Sequence, residues 1–143
     1  MKRKVIRWVA ALVGAAVMVF AVINILAFRE LKGLTEKIAG ESDVQITVKA
    51  YHTGQSVQVT DPAAVREICL GISQLQYGGI YWGREWISGE KTGYSVVVSS
   101  DDLFAVFILD PPTRDRMTNV DYPVSTKNCQ AFYDGVEAVF QNQ

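Results

Sequence analysis

Three observations predict an α+β protein held to a membrane by one N-terminal helix. Trp8 to Phe28 is a run of 21 residues with no charge, alternating apolar strands are separated by tight turns, and two one-sided helical patterns lie among them. After a single transmembrane helix the expected order is ββαβββα: an antiparallel sheet of about five strands with two helices packed on one face. The corresponding segments are a basic cytoplasmic N-terminus (1–7), a transmembrane helix (8–28), a juxtamembrane stalk (29–43) and an extracytoplasmic domain (44–143).

As a helix, the uncharged run is about 31 Å long, matching the roughly 30 Å hydrocarbon core of a bilayer. A cleaved secretory signal has an apolar stretch of only about 7–15 residues. Cleavage after Ala27 is compatible with residue size, but Phe28-Arg29-Glu30-Leu31-Lys32 continues as a helix former, so an uncleaved signal-anchor is expected. Lys2, Arg3, Lys4 and Arg7 precede the run without an acid, which places the N-terminus in the cytoplasm and the C-terminal domain outside. Trp8 suits the interface. Ala10, Gly14, Ala21 and Asn24 share one helix face, a pattern that permits close helix approach and self-association within the bilayer. Ala and Gly are also ordinary in any spanning helix.

Charge divides the chain. Residues 1–40 carry seven Lys/Arg against two Glu, a net +5, whereas residues 41–143 carry seven against thirteen Asp/Glu, a net −6. An acidic exposed domain is repelled by nucleic acid and by anionic headgroups, so nucleic-acid binding is not expected.

Leu31, Leu34 and Ile38 line one side of the stalk, which Gly33 weakens and Gly40 ends. Val44 to Tyr51 alternates apolar and polar residues as a half-buried strand, His52-Thr53-Gly54 turns, and Ser56 to Thr60 returns. Asp61 caps a helix with Pro62 in its first turn and an apolar face of Val65, Ile68, Cys69, Ile72 and Leu75. Tyr77 to Trp86 and Tyr94 to Val98 follow as strands, and Leu103 to Leu109, apolar on both faces, predicts a central covered strand. Asp110-Pro111-Pro112 ends it. Val120 to Val124 reads as a short edge strand. Ser125 or Thr126 is expected to cap a last helix bearing Cys129, Phe132, Val136, Val139 and Phe140.

In layout, the anchor, the Val59-Thr60-Asp61 helix start, the Leu75-Gln76-Tyr77 helix end, the strand meander and Asp121-Tyr122 before the last helix resemble small uncharacterised membrane-anchored or exported α+β domains of Gram-positive bacteria. The resemblance covers most of residues 44–140. It implies the fold, and carries no activity with it.

Cys69 and Cys129 both fall on apolar helix faces. Outside the cell a disulfide between them could persist, worth about 4 kcal/mol by loop closure; the alternative is two small buried side chains. Neither reading is favoured by spacing alone.

Most candidate chemistry fails on mechanics. Ser88 to Gly93 holds S-x-x-K and K-T-G, but one lysine would have to serve both motifs, which belong on a helix and a facing strand. His52, the lone histidine, lies in a turn without partners for acid–base or zinc chemistry. Asp110, Asp115, Asn119 and Asp121 crowd one loop without the calcium-loop pattern and read as a solvated acidic segment. No metal or cofactor is expected. Tyr77 to Trp86 is the richest stretch, with four aromatics and three glycines in ten residues. Tyr81, Trp82, Arg84 and Trp86 are the side-chain types that dominate protein interfaces, and flat rings also stack on sugars; the structural alternative is an aromatic ladder across the sheet. The expected function is therefore non-enzymatic: an accessory, sensory or inhibitory protein-interaction domain. The alternatives are a module binding wall sugars or a small ligand, and a hydrolase of scattered carboxylates.

Overall fold

The computed structural model describes residues 2–83, 93–109 and 117–141. A single helix, α1 (Lys2–Gly40), runs unbroken for 39 residues, about 58 Å. It is followed by β1 (Gln45–Ala50), β2 (Ser56–Val59), α2 (Pro62–Ser73), β3 (Gln76–Gly78), β4 (Tyr94–Ser100), β5 (Leu103–Leu109), β6 (Met117–Asn119), β7 (Ser125–Lys127) and α3 (Gln130–Gln141). The fold is α+β, as the periodicities predict. Five strands form an antiparallel sheet in the order β2-β1-β4-β5-β6, and β3 pairs with β7 in a separate two-stranded ladder.

The local signals act as expected in the first half of the domain. Val44, Ile46, Val48 and Ala50 are buried and their neighbours point outward, as alternation requires. Gly54 takes φ 72 to close the β1–β2 turn, and exposed His52 sets its ring edge-on against Tyr94 at 5.9 Å. Asp61 caps α2, its Oδ1 accepting from the N–H of Ala63 at 3.1 Å and its Oδ2 from that of Ala64 at 3.3 Å.

The core lies between the sheet and the helices. Ile46, Val48, Val96, Val98, Ala105 and Phe107 face Ile68, Ile72, Phe132 and Val136, and Phe107 meets Phe132 edge-to-face at 5.6 Å. Helices α2 and α3 approach so closely at Gly71 that an added Cβ would lie 2.6 Å from the Cα of Phe132. The end of α1 belongs to the same core: Leu31 and Ile38 are fully buried and Thr35 is buried with them. The segment expected as a stalk is thus a packed part of the domain, and α1 contacts α2.

Four expectations change. Strand character after Gln76 stops at Gly78, because Gly79 and Gly83 take φ 84 and 108 and break the alternation; Ile80 to Gly83 is not strand. β5 has strands on both sides, but only Leu103, Ala105, Phe107 and Leu109 are buried; the opposite face leaves Phe104 65% exposed. Val120 to Val124 is no strand, since the Asn119 side chain accepts from the N–H groups of Asp121 and Tyr122 and turns the chain. Ser125 and Thr126 do not cap α3 but pair with β3. The helix starts after Asn128, at φ 60, with the Cys129 carbonyl accepting from the N–H of Tyr133 at 3.0 Å.

Candidate functional site

About five turns of α1 and the chain leaving β3 build the most distinctive site. Phe20, Asn24, Ala27, Leu31, Thr35 and Ile38 recur every three or four residues, so they form one stripe along the helix. All are buried or half-buried, and β3 with its following loop lies along them. Thr35 Oγ1 donates to the Leu31 carbonyl at 2.9 Å and shares a hydrogen bond with Tyr77 Oη at 2.8 Å. Burial pushes the Tyr77 phenol up, partly opposed by that bond.

About three turns nearer the N-terminus, the Asn24 side chain pairs with the backbone of Tyr81. The Tyr81 N–H donates to Asn24 Oδ1 at 2.7 Å, and Asn24 Nδ2 donates to the carbonyls of Tyr81 and Phe20, both at 3.1 Å. Beyond it, the Trp82 ring lies on Phe20 with centroids 5.1 Å apart, tilted by 44°. Two sets of residues that the sequence presents as unrelated, a polar side chain in the apolar run and an aromatic segment in the domain, therefore meet. Asn24 is engaged within its own chain. Ala10, Gly14 and Ala21 are exposed on α1. Arg84 and Trp86 lie outside the described residues, as do Ser88 to Thr92 and the Asp110 and Asp115 portion of the acidic loop.

On its other side, Tyr81 faces Tyr122 at 5.9 Å between centroids, and Tyr122 Oη donates to the carboxylate of Glu30 on α1. That bond to a carboxylate holds the Tyr122 proton in place and pushes its pKa up to about 12, with smaller contributions from burial and nearby charges. Tyr81, Tyr122, Glu30, Leu34, Lys37 and Phe104 border an open groove of about 620 Å³ where α1 enters the domain. Lys37 donates to the carbonyl of Asp102 at 2.9 Å, both lining the groove. Glu30, Phe104 and Tyr122 are absent from the residues singled out by sequence. Phe104 carries a signal, an apolar residue on what proves the outward face of β5. The Glu30–Tyr122 bond joins residues 92 apart and leaves none.

Cys69 and Cys129 are both buried thiols and no disulfide joins them. They act as small core residues, and burial pushes the Cys69 thiol up, away from the reactive thiolate. Glu41, Asp43, Asp101 and Asp102 line an acidic recess beside β1 and β4, but among the described residues no three His, Cys, Asp or Glu side chains converge on a metal position. The Asn119 Oδ1 is directed into its own turn.

Within α1 one stretch is long and apolar enough to cross a membrane, and none of its most apolar window is buried, unlike a helix in a soluble core. The chain matches no protein-family model, no curated protein and no solved structure.

Proposed function

We propose that this chain is a single-pass membrane protein, with its N-terminus in the cytoplasm, that presents a small α+β domain outside the cell to a protein partner. It serves there as an accessory, sensory or inhibitory subunit rather than as a catalyst. The observation that carries this reading is the continuity of α1: the same helix supplies the apolar run and, through Leu31 and Ile38, part of the domain core. A domain built on its own membrane helix transmits contact and orientation between the two, which a flexible tether does not.

The groove where α1 enters the domain supports a partner surface. It is open and rimmed by the rings of Tyr81, Tyr122 and the exposed Phe104, the mixture of aromatic surface and polar edge that interfaces favour. Tyr81 and Phe104 are the contacts for such a partner; Arg84 and Trp86 are candidates by residue type alone and lie outside the described residues. Ala10, Gly14 and Ala21 offer α1 a second contact within the bilayer.

Crosslinking in native membranes, with purification through a C-terminal tag and mass spectrometry, tests the proposal. A dominant partner linked near Tyr81 or Phe104, and lost in Phe104→Asp while the variant stays folded, is the expected result. Recovery of the chain alone from both overturns it. Orientation is checked separately by labelling Thr53→Cys, in the exposed β1–β2 turn, with an impermeant reagent on intact cells.

A further inference from the structure

The aromatic tip lies beside a part of α1 that a bilayer would cover. Side chains from Val5 to Val19 are exposed and the first half-buried one is Phe20. Those 15 residues make about 22 Å of helix, some 8 Å less than a hydrocarbon core of roughly 30 Å. The uncharged run supplies the difference by continuing to Phe28, and charge returns only at Arg29 and Glu30. It is along this second part, at Phe20 and Asn24, that Tyr81 and Trp82 lie. Covering the whole run with lipid carries the tip in as well, to a depth of about 6–12 Å counted back along the helix from Phe28.

The tip is made for that depth. Trp82 is 74% exposed and Ile80 49%, so each leaves a large apolar surface uncovered by the protein. Backbone polar groups that enter hydrocarbon must find partners inside the protein. The N–H and carbonyl of Tyr81 have one, the side chain of Asn24, and Asn24 is the only amide, hydroxyl or charged side chain in the uncharged run. An asparagine there is costly in lipid unless paired, and this pairing relieves both partners.

We infer that residues Ile80–Trp82 form a membrane-inserted tip, seated beside α1 in the leaflet on the domain side, with Ile80 and Trp82 against lipid acyl chains. The inference rests on the proposed spanning of α1 and goes beyond it: the domain is held at the bilayer surface by a second, shallow anchor. A partner seated on Tyr81 and Phe104 is then met at membrane level.

Full-length single-tryptophan chains in phosphatidylcholine vesicles test it, with bromine on the acyl chains as the quencher. One chain retains Trp82 (Trp8→Phe with Trp86→Phe) and the other retains Trp8 (Trp82→Phe with Trp86→Phe). The expected result is quenching of Trp82 at least as strong as that of Trp8. Quenched Trp8 with unquenched Trp82 overturns the tip and leaves the spanning helix standing. If neither is quenched, the spanning helix fails and the tip with it. Impermeant maleimide gives a second readout that keeps Trp8 and Trp86: in vesicles where Thr53→Cys is labelled, Trp82→Cys should react several-fold more slowly. Equal rates overturn the tip.

Discussion

Two side chains set what can be measured residue by residue. Tyr122 has its pKa raised to about 12 by its bond to Glu30, against an ordinary value near 10. A group whose folded pKa lies above its unfolded one stabilises the fold at pH below the unfolded value. That contribution is lost as pH rises through the folded value, so it disappears between about pH 10 and 12. The ultraviolet phenolate difference between the wild-type chain and Tyr122→Phe should therefore titrate near 12, and Glu30→Gln should bring the midpoint down towards 10; a midpoint near 10 in the wild type would mean the bond is absent. Asn24 is the other. Each of its bonds to Tyr81 is worth about 0.5–1.5 kcal/mol. Asn24→Ala should therefore speed hydrogen exchange at the Tyr81 amide by about tenfold, the factor that 1.4 kcal/mol carries, while amides of β4 stay protected. Uniform acceleration everywhere would instead signal global loss of stability.

Among the elements, the legible ones are those whose signals are local. Asp61-Pro62 states a helix start in adjacent residues, and β1 states its burial in a period of two; both need no knowledge of distant partners. Ser125-Thr126 carries an equally good cap signal, yet the segment becomes β7 because β3, some fifty residues earlier, offers a ladder. Asn128, able to take φ 60, marks the true helix start and is a weaker sign to read. The candidate site divides similarly. Tyr81, Trp82 and Asn24 stand out by residue type, but their pairing across 57 positions does not. Gly71 was equally silent, a glycine in the last turn of α2 whose reason is the neighbouring helix. Gly71→Ala improves helix propensity by about 1 kcal/mol, yet its methyl would meet the Phe132 Cα at 2.6 Å and the Phe132 N at 2.7 Å. Backbone atoms cannot rotate away, so α3 must shift, and overpacking of this kind costs about 1–3 kcal/mol. Denaturant melts should show net destabilisation; a gain in stability would mean that α2 and α3 are less tightly apposed.

For the molecule as a whole, the question is whether α1 ends as a structural unit with its uncharged run or continues into the domain. Charge and composition mark a boundary at Phe28, and a stalk beyond it would be dispensable to the fold. The packing argues otherwise. Leu31 and Ile38 have no exposed surface, Ala27 and Thr35 are buried beside them, and Leu34 packs against the core. Burial of a large aliphatic side chain stabilises by about 1.5–3 kcal/mol, so Leu31 and Ile38 together contribute about 3–6 kcal/mol, a large share of the roughly 5–15 kcal/mol by which domains are stable. A chain beginning at Leu26 keeps these residues and loses only the exposed helix with the Phe20 and Asn24 contacts to the tip. A chain beginning at Glu41 loses the whole stripe and uncovers the α2 surface that it protects. The expected outcome in urea is a cooperative transition for residues 26–143 and, for residues 41–143, a transition at markedly lower urea or no folded baseline. Matching midpoints would make residues 29–40 a tether after all. A large gap would mean that the domain is completed by the helix that carries the apolar run, so a force or rotation applied to that run is delivered directly to the core.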